Sequence, residues 1–165
     1  MDFDQIQHAD LAQRYKSGAN WFYWIAGLTM ITSIIGFFGG GIRFLIGLGL
    51  TQVIDGMAEA LAPQLGGAVQ VVALLLDLVV TGIFVLFGYL ANKKLLWAYV
   101  AGMVVFLMDG LLALAFQDWI SVIAHAVVLF WLFRGFQAGR ELVSLERIMA
   151  EQAATTAQQQ PEPAI

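Results

Sequence analysis

The sequence contains no cysteine. That excludes disulfides, thiolate metal sites, dithiol redox chemistry and cysteine nucleophiles together. Charge is nearly as scarce: 12% of the 165 residues are Asp, Glu, Lys or Arg, against about 25% in a soluble domain. Net charge is −4 and no long basic run occurs, so nucleic-acid binding lacks its electrostatic footprint. There is no G-x-S-x-G, HExxH, GxGxxG or P-loop pattern, and Ser33 and Ser121 carry no local nucleophile signature. The first twenty residues, MDFDQIQHADLAQRYKSGAN, lack the basic n-region and small-residue cleavage site of a secretory signal. The apolar run that follows them is therefore expected to be a retained span.

What is present is apolar. Hydrophobic residues make up 60% of the chain and mean hydropathy is +0.78, the profile of a polytopic membrane protein. Residues 20–38, NWFYWIAGLTMITSIIGFF, carry no formal charge and match the ~20 residues needed to cross ~30 Å of hydrocarbon. Three further spans are expected at about 67–91, 95–116 and 119–136, separated by polar turns at Asn92-Lys93-Lys94 and Gln117-Asp118. Residues 1–19 read as an interfacial lead-in in which His8 is a solvated surface histidine. Residues 137–157 read as a cytoplasmic amphipathic helix continuing out of the last span, with Leu142, Leu145, Ile148 and Met149 on one side. The tail 158–165 is polar and Pro-bearing, a disordered composition.

The stretch 39–63 decides the topology. It opens on Gly39-Gly40-Gly41, carries Arg43, Asp55 and Glu59, and ends at Pro63. Its longest apolar run, 44–54, is the length of a re-entrant or interfacial segment rather than a span. If it crossed, five of the eight Lys and Arg residues would fall on the outer side. If it starts and ends on the outer side, seven of the eight face the cytoplasm and only Arg43 does not, as the positive-inside rule requires. The expected fold is thus an all-α integral membrane protein of the cell (plasma or inner) membrane. It has four transmembrane helices, a short outer-side re-entrant or interfacial helix, a cytoplasmic C-terminal helix, and both termini in the cytoplasm.

An ionisable group inside a span costs about 2.5–3.5 kcal/mol on insertion scales and normally has a partner, a cavity or a role. In this topology Asp77, Asp109 and His125 lie roughly 15, 12 and 9 Å from the outer ends of their helices. Asp55 and Glu59, four residues apart on the 39–63 helix, join them in the outer half. These five residues are the candidate ion, proton or polar-cluster residues, with Arg43 as the candidate counter-charge. Asp77, Asp109 and His125 lack metal-ligand spacing, so no metal is assigned, and the residues identify no cofactor.

Small residues recur four apart at Gly36/Gly40, Ala98/Gly102 and Gly135/Gly139, a spacing that permits close helix packing. Together with a projecting C-terminal helix they favour a non-enzymatic assembling or accessory subunit. Such a chain would sit in the lipid bilayer as a homo-oligomer or bound to a protein partner, and would not bind nucleic acid. The second expectation is an oligomeric proton or cation channel or transporter using the outer-half carboxylates. The third is a membrane enzyme acting on a lipid or quinone.

Overall fold

The computed structural model describes residues 3–38 and 48–159. Among them are five helices and no strand: α1 (Phe3–Phe37), α2 (Gly49–Leu65), α3 (Ala68–Asn92), α4 (Leu96–Ala115) and α5 (Trp119–Gln159). α3, α4 and α5 are each long and apolar enough to cross a membrane, which makes the chain a helical-bundle membrane protein. The lead-in and the first apolar run are one unbroken helix of 35 residues. The cytoplasmic helix expected at 137–157 is likewise a continuation of α5, which runs for 41 residues. No proline interrupts either one, and their polar extensions are held together by packing on each other. Arg43, Gly40 and the rest of 39–47 lie outside the described residues, as do 160–165 of the tail.

The connections are tight. Lys94 (φ 61°) turns α3 into α4, and Gln117 (φ 58°) turns α4 into α5. Asp118 then caps α5, its Oδ1 accepting the Ser121 N–H at 3.2 Å. α2 ends with Pro63 in its last turn and Gly66 beyond it at φ 78°, a conformation that favours glycine.

α1 is the central element, packed mainly on α5 and α3; α4 packs on α5 and α3, and α2 chiefly on α3. Tyr15, Phe22, Phe84, Tyr99 and Phe106 are buried, joined by Phe87 and Phe136 at the edge. Tilted and edge-on ring contacts at 5.4–6.3 Å link them across α1, α3, α4 and α5. α1 and α5 cross at Gly18 and Gly135. A Cβ on either glycine would lie 2.6–2.7 Å from the other's Cα, so this crossing exists only because both positions lack one. Only 28–33% of each long apolar window is buried inside the bundle, and the remainder presents residues such as Val72, Leu75, Val79, Val104 and Ile123 outward. In water such a surface would be a large association liability; in hydrocarbon it is the expected one.

Beyond the apolar layer, Leu11 and Tyr15 of α1 are buried together with Ala138 and Leu142 of α5. The two helices are further linked by Glu146, whose Oε1 accepts from Lys94 Nζ and pairs with His8 Nε2. Lys94 and His8 hold the Glu146 carboxyl below its ordinary value of 4.5. A carboxyl whose folded value is depressed contributes stability that is present above the ordinary range and is lost as pH falls through the folded value. Glu146→Gln should therefore lower the unfolding midpoint at neutral pH and lessen its fall as pH drops below the ordinary carboxyl range. Thermal unfolding of the detergent-solubilised protein across that range measures it; an unchanged pH profile would show that Glu146 is not a linkage site.

Candidate functional site

Two buried carboxylate centres flank α2. The first is built on Asp109 of α4. Its Oδ2 accepts the Gly49 N–H at 2.8 Å and its Oδ1 accepts the Leu50 N–H at 2.9 Å. A carboxylate from a distant helix thus supplies the cap that α2 lacks from its own N-cap, Leu48, satisfying orphan donors where the helix dipole favours negative charge. The Leu48 N–H is directed to Thr29 Oγ1 of α1 at 3.3 Å, and Thr51 Oγ1 donates to the Leu48 carbonyl. α2 is therefore anchored by its first turn to α1 and α4.

His125 of α5 completes this centre. Its Nε2 lies 2.8 Å from Asp109 Oδ2, and its Nδ1 lies 2.7 Å from the Ser121 carbonyl. A carbonyl can only accept, so Nδ1 carries a hydrogen. One proton must also lie between Nε2 and Oδ2. The two backbone donors already on Asp109 favour placing it on nitrogen, which makes the contact a buried imidazolium–carboxylate pair. Phe106 stacks on the imidazole at 4.6 Å between ring centres. Gly110 makes room for it, since a Cβ there would stand 3.1 Å from that of His125.

The second centre is Asp77 of α3, 0% exposed. Neither of its carboxylate oxygens has a hydrogen-bond partner in the protein, and the same holds for Ser33 Oγ and Thr81 Oγ1. Thr81 is one turn along the same face of α3, while Ser33 of α1 and Asp55 of α2 come close enough to act on the Asp77 carboxyl without closing a hydrogen bond of regular geometry. Asp55 packs against α1, its Oδ2 3.7 Å from where a Cβ on Gly36 would be. It also lines an open cleft of ≈ 1060 Å³ shared with Thr32, Gln52, Glu59, Gln70 and Ser121.

The five candidate residues thus divide. Asp109 and His125 are bonded to one another, Asp77 and Asp55 face one another, and Glu59 is exposed on the cleft. Among the described residues no three Asp, Glu, His or Cys side chains converge as a metal site. Four of the six small residues are engaged inside the chain. Gly135 meets Gly18, Gly139 meets the Tyr15 ring, Gly102 meets the Phe22 ring, and Ala98 is wholly buried. Sequence reasoning did not single out Gly18 or Tyr99, nor the free N–H groups of Gly49 and Leu50. The available hint was the Tyr15, Gly18, Phe22 spacing, which places all three on one face of a helix.

Comparison with known protein families, curated proteins and solved structures finds no match for this chain.

Proposed function

We propose that this chain is a four-crossing membrane protein in which α2 is a re-entrant helix, and that it takes up protons or small cations through the outer-side cleft. Asp77 carries the reading. A carboxylate enclosed in an apolar span with both oxygens unpartnered is among the costliest groups to bury. It is neutralised by a proton or a cation, and the cleft beside Asp55 gives either one access. Re-entrance is supported by the direction of α2. Its first turn is level with Thr29, eight residues or about 12 Å short of the end of α1, and Asp55 is level with Gly36. α2 therefore rises beside α1 in the same direction, whereas a consecutive crossing would run the opposite way. The aromatic cluster around Phe22, Phe84 and Tyr99 closes the bundle on the other side, so uptake ends at the buried carboxylates unless the helices rearrange or chains associate.

Asp77→Asn should abolish proton or cation flux into proteoliposomes while leaving the protein folded and monodisperse. Retained flux in that variant, or no flux in the wild type under an imposed gradient, would remove the proposal. A cysteine introduced at Met57 should label from outside in intact cells, and one at Asn92 only after permeabilisation.

The second reading, an accessory or assembling subunit, rests on the Gly36/Gly40 spacing and the projecting end of α5, since Gly135, Gly139, Ala98 and Gly102 make contacts within the chain. The enzyme reading has one apparent support: Ser121, His125 and Asp109 stand in the order of a hydrolytic triad, with Ser121 Oγ 3.5 Å from His125 Nδ1. That nitrogen already donates to the Ser121 carbonyl at 2.7 Å and has no lone pair for a hydroxyl proton. A triad needs its base free toward the nucleophile, so the arrangement serves to orient His125 toward Asp109.

A further inference from the structure

Among the described residues five buried side-chain oxygens lack a hydrogen-bond partner; one is the Tyr99 hydroxyl at the α1–α5 crossing, and the other four, Asp77 Oδ1 and Oδ2, Ser33 Oγ and Thr81 Oγ1, belong to the second centre. Other hydroxyls of the chain show what such groups do when they have no further role. Thr32 donates to the Leu28 carbonyl at 2.9 Å, Thr155 to Glu151 and Thr156 to Gln152, each one turn back on its own helix. Ser33 and Thr81 sit on equally regular helices and do not do this. Their oxygens are withheld from the backbone in the neighbourhood of a carboxylate that has no donor of its own. Buried polar atoms left unsatisfied in this way call for a specific occupant.

We infer that Asp77, Ser33 and Thr81, with Asp55 at the cleft side, form a binding site for a small monovalent cation of the sodium class. The donors are all hard oxygens, one enclosed carboxylate and two neutral hydroxyls, with a second carboxylate where the cleft supplies water. A single positive charge balances Asp77 inside the apolar layer. Calcium sites use several carboxylates and magnesium is held by carboxylates with retained waters; one enclosed carboxylate with two neutral hydroxyls balances a single positive charge instead. A proton would neutralise Asp77 and leave the Ser33 and Thr81 hydroxyls only as donors, whereas a cation engages their lone pairs together with the carboxylate. Asp55 faces Asp77 on one side and the open cleft on the other, so an arriving cation meets it before being enclosed. The inference rests on the proposed cleft pathway and deepens it by naming the ion.

The test uses the full chain, purified in mild detergent, at fixed pH and ionic strength in NaCl, KCl or choline chloride. Sodium should raise the thermal unfolding midpoint by several degrees in a saturable way, potassium less, and choline not at all. Ser33→Ala and Thr81→Val should each raise the half-saturating sodium concentration about tenfold or more, with midpoints in choline close to wild type. Asp77→Asn should erase the sodium effect. If sodium, potassium and choline give the same midpoint, the site is not a sodium site, and Asp77-dependent proton flux in proteoliposomes would then leave the cleft pathway standing without it. If sodium stabilises the protein through these residues and no flux is measurable, the binding site stands and the transport reading fails.

Discussion

Asp109→Leu is expected to detach the first turn of α2 and to destabilise the protein by about 3–5 kcal/mol, the cost of breaking a buried charge pair by removing one partner. Three donors lose their acceptor at once: the Gly49 and Leu50 N–H groups and His125 Nε2. Each would be left directed at an apolar side chain, which costs free energy even where the cleft lets water approach Gly49. The absence of native cysteine allows a clean readout. A cysteine at Ala58, buried on the inner face of α2, should resist maleimide in the otherwise wild-type protein and react when Asp109→Leu is added. Asp109→Asn keeps one acceptor oxygen and should fall between the two. An unchanged unfolding midpoint with Ala58→Cys still protected would mean that packing on α3, not the carboxylate, holds α2.

Gly135→Val should be the most damaging single change at the α1–α5 crossing, costing about 3 kcal/mol, at the upper end of overpacking penalties. The added Cβ would fall 2.7 Å from the Gly18 Cα, and a backbone atom cannot move aside without separating the two helices. Because α1 also carries Ser33 and Thr29, a shift there should reach both carboxylate centres. Gly27→Ala is the matched control. Nothing lies within 4 Å of a Cβ at Gly27, so removing a helix-interior glycine there should be neutral or stabilising by up to about 1 kcal/mol. Denaturant titration in mixed micelles compares the two; equal effects would mean that the crossing is looser than its geometry implies.

The long helices were legible because hydropathy is a local sum. The spans expected at 67–91 and 95–116 compare with Ala68–Asn92 and Leu96–Ala115, and both polar turns contain the residue that takes a positive φ. The continuation of the last span into 137–157 was legible in helical propensity, while the continuity of α1 was not. Residues 3–19 and 137–159 are too polar to announce a span, and their helices stand on contacts with each other that no single window contains. The five polar candidates were each visible as costly residues in apolar surroundings. Their division into two centres was not visible, since it depends on how each helix is rotated about its axis.

The sequence by itself determined that this is an apolar helical membrane protein without cysteine, and which residues are too expensive to bury without a purpose. Those properties follow from composition and spacing along one chain direction. Only the tertiary structure decided that Asp109 caps a helix sixty residues away and locks His125, while Asp77 keeps its oxygens free beside Ser33 and Asp55. Both are mid-span aspartates in similar sequence surroundings. What separates them is whether a backbone donor from another helix arrives within 3 Å, and that is fixed by packing rather than by neighbours in the chain.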